Sequence, residues 1–129
     1  MTGAQAFWVF VAGGVGSVAR WLVSVVCLAA FGPALPIGTF AVNVGGCFLL
    51  AALFELAVST DRITPTLRIA LGTGFLGGFT TYSTFSQEAF TYLRDGAWGL
   101  GLGYVAATVV VCLAACVAGQ AAARWLGAS

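Results

Sequence analysis

The densest chemistry in this chain lies between residues 72 and 86, which read GTGFLGGFTTYSTFS. Thr80, Thr81, Ser83, Thr84 and Ser86 bring hydroxyl donors, and Phe75, Phe79, Tyr82 and Phe85 bring aromatic rings. A hydroxyl can donate to an anion, and an aromatic ring presents a positive edge. The same stretch resists a regular helix. Gly72, Gly74, Gly77 and Gly78 each carry a helix penalty of about 1 kcal/mol, and the hydroxyls compete for backbone hydrogen bonds. Apolar flanks at 67–71 and 90–93 nevertheless put the stretch where a membrane helix belongs. In hydrocarbon, unpaired backbone is tolerated only where it is buried in protein or lines a wet cavity. A break near Gly77 to Thr80 therefore points to an ion or solute site. Gly74 and Gly78 also form a GxxxG pair, which leaves a plain close-packing surface as the alternative.

The elements that must hold this stretch follow from composition. With 60% hydrophobic and 7% charged residues and no histidine, the chain cannot present the surface of a soluble domain. Its 129 residues accommodate four helical spans at roughly 20 residues each, expected at about 7–31, 38–58, 66–93 and 98–126. The fold class is thus all-α and integral to the lipid bilayer, with the third helix broken. A net charge of +1 offers no basic patch for nucleic acid. No Lys or Arg precedes Phe7, so the first hydrophobic stretch is expected to be retained rather than cleaved as a signal peptide. Cys27, Cys47, Cys112 and Cys116 lie inside apolar runs without a histidine or a CxxC pair, and read as small buried apolar residues rather than metal ligands.

The first span opens on Ala12, Gly13, Gly14, Gly16 and Ser17, a run that lets another helix come close. Arg20 then interrupts it. An arginine at a helix centre costs at least about 2.5 kcal/mol in a membrane, so it must snorkel beside Trp21, find a partner, or face an aqueous vestibule that attracts anions. In the second span Thr39 and Asn43 share a face that Gly46 and Leu50 continue. Asn43 serves either as an interhelical hydrogen bond or as an N–H donor to a permeant anion. After the broken span, Glu88 follows Phe85 by about one turn, and a vestibule near the helix end is its simplest location. Tyr104, Thr108 and Cys112 recur every four residues in the fourth span, as a polar track or a packing seam, and Gly99 and Gly103 form another GxxxG pair. Arg62, Arg68 and Arg124 fall on one side of the membrane and Arg94 on the other. That weak bias permits insertion in both orientations, and so small a chain needs a partner to enclose a polar path.

The segment GxLGGFTTYSTFSxE, Gly74 to Glu88, resembles the signature of the bacterial Fluc fluoride channels, also called CrcB proteins. GxxGSxxRW at Gly13 to Trp21 and GTFAVNxxGxFLL at Gly38 to Leu50 are similar to that family in order and spacing, so the likeness covers essentially the whole chain. The resemblance implies a dual-topology homodimer in the bacterial plasma or inner membrane, enclosing two pores through which fluoride leaves the cytoplasm passively. It implies a structural sodium ion on the two-fold axis, held by backbone carbonyls of Gly77 and Thr80. It places Asn43 in the pore, Tyr82 and Phe85 in the aromatic box, Ser83, Thr84, Tyr104 and Thr108 along a polar track, and Arg20 and Glu88 in a vestibule. Two positions depart from the family pattern: Tyr82 stands where Phe is usual, and Cys112 where a hydroxyl residue is frequent.

The competing reading is a small four-helix exporter of cationic drugs, which relies on a carboxylate in its first span. Here that span carries Arg20, of the wrong sign. A non-transporting assembly subunit would explain the glycines but not the hydroxyls, Asn43 and the break together. Enzymatic activity has no recognisable nucleophile and base to support it.

Overall fold

Long apolar runs punctuated by Gly and Pro become long helices joined by short turns, because every backbone polar group in a bilayer must be satisfied within its own segment. The computed structural model describes residues 2–127. Helix α1 (Gly3–Phe31) begins at Thr2, which forms a reciprocal capping box with Gln5, and ends at Gly32. The Gly32 N–H closes on the Leu28 carbonyl at 2.9 Å with φ at 75°, a conformation that suits glycine. Helix α2 (Ile37–Ser59) follows the Pro33 and Pro36 turn. The third crossing is composite: α3 (Pro65–Ile69), a π-helical segment (Ala70–Leu76), α4 (Gly77–Phe79), two extended residues, and α5 (Tyr82–Arg94). Pro65 occupies the first turn of α3, where a missing N–H costs nothing, and Thr64 caps it. A turn through Gly96, with φ at 80°, leads into α6 (Trp98–Gly127).

Among the described residues, α1, α2 and α6 are each long and apolar enough to cross a membrane. The other crossing is not one helix, as the helix-weakening residues of 72–86 require. The interruption falls at Thr80 and Thr81, at the C-terminal edge of the window expected for it, and the four glycines before it remain helical. The close-packing reading of Gly74 and Gly78 holds. A Cβ on Gly74 would lie 3.0 Å from the Ala12 Cβ and 3.2 Å from the Val9 backbone, and a Cβ on Gly78 would run into the Gly13 carbonyl. Gly16 returns the fit, since its missing side chain admits the Phe75 carbonyl. The small-residue run of α1 therefore packs against the first half of the broken crossing. The second half, α5, packs instead on α6.

Helices α2 and α6 make the most extensive pairing in the chain. Gly119 allows the Phe48 carbonyl to approach closely, and Glu55 accepts from Gln120 Nε2 at 2.9 Å and from Arg124 Nε at 3.0 Å at one end of the pair. The Gly99 and Gly103 pair makes no such contact: a Cβ at either would meet nothing within 4 Å, and it is Gly101 that packs, against Leu93 and Tyr92. Spacing alone put the close contact two positions out, because the helix turns Gly101 and not Gly99 or Gly103 toward α5.

Candidate functional site

A helix that stops inside a membrane leaves carbonyls and N–H groups to be answered. Here Thr80 and Thr81 are extended, and side chains from three elements answer them. Asn43 Nδ2 donates to the Thr81 carbonyl at 3.0 Å, and the Thr81 N–H donates to Asn43 Oδ1 at 2.8 Å. The amide of α2 thereby pairs with the interrupted backbone as a neighbouring strand would. Arg20 Nε donates to the Gly78 carbonyl at 3.0 Å, setting a cation at the C-terminal end of α4, the end at which the peptide dipoles favour positive charge. Thr80 turns its hydroxyl back to the Leu76 carbonyl at 2.9 Å and fits its methyl against Gly46, where no side chain stands in the way. The Thr81 hydroxyl caps α5 through the Thr84 N–H at 3.2 Å. Among the described residues, no side-chain donor reaches the carbonyls of Gly77 and Thr80, whereas Arg20 and Asn43 take those of Gly78 and Thr81.

Most of the polar residues singled out in the sequence line one of two places. A groove of about 560 Å³ beside the α1–α2 turn is lined by Thr39, Thr84, Gln87, Glu88 and Tyr92. A second cavity of about 340 Å³ at the interruption is lined by Asn43, Gly77, Thr80, Tyr82, Phe85, Thr108 and Cys112. Glu88 and Tyr104 join them. Glu88 Oε1 accepts from the Thr39 hydroxyl at 2.7 Å, and Glu88 Oε2 accepts from the Tyr104 hydroxyl at 2.8 Å. The Tyr104 ring meets Phe85 nearly edge-on, with centroids 5.2 Å apart and planes at 64°, and Phe85 meets Tyr82 at 5.9 Å. Phe85 is buried while Tyr82 is 80% exposed at the outer rim. Thr108 lines this cavity, and its Oγ1 is buried without a hydrogen-bond partner among the described residues.

Several expected residues take more specific places than the sequence assigned. Arg20 meets backbone at the interruption, and Glu88 is held by two hydroxyls. Asn43 commits both ends of its amide to Thr81, which is the interhelical bond weighed for it, while still lining the cavity. Ser83 and Thr84 gather around the Thr81 hydroxyl at 3.4 and 3.0 Å on the exposed side, and only Thr84 of the two borders the groove. Three residues named in the sequence take roles it did not give them: Thr39 as a Glu88 partner, Thr81 as the cap and clamp point, and Gly46 as the seat of Thr80. Thr81 carried a readable signal, a hydroxyl residue just before the helix resumes. The Thr39 and Glu88 pairing spans 49 positions and left none.

Fold and site together define an all-helical, multi-pass membrane protein whose third crossing is interrupted beside a lined cavity. The chain belongs to the CrcB family: the pattern of the CrcB-like protein, Camphor Resistance (CrcB), matches residues 7–120. It is 47% identical over 120 residues to the fluoride-specific ion channel FluC of Sorangium cellulosum (strain So ce56), covering 93% of this chain and 94% of that one. The protein of the same name from Rhizobium etli (strain CIAT 652) is 44% identical over 122 residues, covering 95% of this chain and 98% of its own. The one from Geobacter sulfurreducens is 47% identical over 114 residues, covering 88% and 92%.

Proposed function

We propose that this chain is a fluoride channel that lets the ion leave the cytoplasm passively and so lowers its toxicity. The observation that carries the reading is the interrupted crossing, with the Phe85 ring, the uncommitted Thr108 hydroxyl and the Asn43 amide lining one cavity. Fluoride is small and strongly hydrated, so a path for it must replace water with donors and still release the ion. Hydroxyls and ring edges supply such donors. From the groove, the ion passes the Glu88 and Tyr104 pair, then Phe85, then the cavity at Thr108.

The working unit in this reading is an inverted homodimer. Gly77 and Tyr82 are exposed on the single chain, and interrupted backbone at membrane depth must be covered by protein rather than lipid. A second copy inserted upside down covers it, and the near balance of arginines on the two sides permits that orientation. The carbonyls of Gly77 and Thr80, which accept from no side chain among the described residues, are from both copies hard oxygen donors suited to sodium, which when bound would supply a fixed positive charge beside the path. The drug-exporter alternative is set aside: the first crossing holds Arg20 against backbone and offers no carboxylate. Efflux from reconstituted liposomes tests the reading. Fluoride should leave rapidly while ethidium stays; ethidium movement without fluoride movement would overturn it.

A further inference from the structure

Beyond the anion donors, the cavity wall carries sulfur. Cys47 of α2 and Cys112 of α6 both line it. One turn along α6, Cys116 Sγ lies 3.6 Å from the Cys47 carbonyl, which it meets as a weak donor. The backbones are fixed at this level because Gly119 lets the Phe48 carbonyl press against α6. Both cysteines are therefore carried into the wall of one cavity by packed helices rather than by a loop. Cys27 sits apart, in the groove beside Ser24.

Thiolates are soft ligands and select soft cations. Among the described residues no group of three or more His, Cys, Asp or Glu could hold a metal, which leaves out ions that need three or four ligands. A d10 cation such as Hg(II), Ag(I) or Cu(I) is satisfied by two thiolates in line. We propose that Cys47 and Cys112 form a two-thiol site for a soft, two-coordinate cation in the wall of the cavity, where the bound ion obstructs the anion path. The obstruction rests on the proposed function; the site itself does not. With mercuric chloride, each thiol gives up a proton as its sulfur bonds to mercury, and each Hg–Cl bond breaks to release chloride. Neutral mercuric chloride dissolves in the bilayer and so reaches the cavity without using the anion path. The bridged product is also neutral, and it fills space without adding charge.

The test uses the full chain in liposomes, with Cys27→Ser and Cys116→Ser removing the other thiols and mercuric chloride as the probe. Intact mass should rise by one mercury less two hydrogens per chain, fluoride efflux should fall to background, and excess dithiol should restore both. Adding Cys112→Ser or, separately, Cys47→Ser should leave an adduct that keeps one chloride and loses one hydrogen. A one-chloride adduct on each thiol of the parent background, or a bridged mass in either single-thiol variant, overturns the site. Bridging on both thiols with unchanged efflux leaves the site standing and removes this cavity from the conduction path.

Discussion

Residues 65–79 meet α1 backbone to backbone, with Gly74 and Gly78 on one side and Gly13 and Gly16 on the other. Residues 82–94 meet α2 and α6 through side chains instead, by the hydroxyls on Glu88 and the ring of Phe85 on Tyr104. One crossing thus has two kinds of fit. Close backbone packing has no slack, since an added methyl has nowhere to go, so the first half should fail by not folding. Side-chain contacts in a lined cavity can be exchanged, so the second half should fail by not conducting. The Asn43 and Arg20 bonds sit at the boundary, and both properties should depend on them.

The largest expected effect tests that contrast at its sharpest. Gly78→Val drives its side chain into the Gly13 carbonyl and Ser17, so folded protein recovered by size exclusion should nearly vanish. Ser83→Val, on the exposed start of α5, should be recovered like the wild type. Equal recovery of the two would dissolve the distinction between the halves. Next comes the boundary. Asn43→Ala strips the Thr81 N–H and carbonyl of their partner, at about 1–3 kcal/mol for each group left unpaired. Both the melting temperature and fluoride efflux should fall, whereas a fall in efflux alone would show that the amide serves the ion and not the backbone.

Within the second half, Phe85→Ile keeps apolar bulk but removes the positive ring edge. Efflux should drop by about tenfold or more, equivalent to roughly 1.4 kcal/mol in the barrier, with elution unchanged. Wild-type efflux would take Phe85 off the path. Prolonged replacement of sodium by a large organic cation should slow efflux more gradually, through the carbonyls of Gly77 and Thr80; no change would argue against that ion. The smallest effect is expected for Tyr82→Phe, because the ring stays and the side chain lies at the exposed rim. Complete loss there would assign the role to its hydroxyl.

Composition, length and the 72–86 run were enough to determine an all-helical membrane protein with an interrupted third crossing, because hydrocarbon allows few backbone solutions and glycines and hydroxyls oppose the commonest one. The long signature from Gly74 to Glu88 was enough to place the family. What the letters could not hold was the pairing across the interruption. That Arg20 meets the Gly78 carbonyl, that Asn43 takes up Thr81, and that Thr39 and Tyr104 share Glu88 are contacts between residues 16 to 58 positions apart. Each depends on how helices rotate and slide against one another, and rotation is what turned Gly101 rather than Gly99 and Gly103 into the seam with α5. Periodicity says which residues share a face; only the packed structure decides what that face meets.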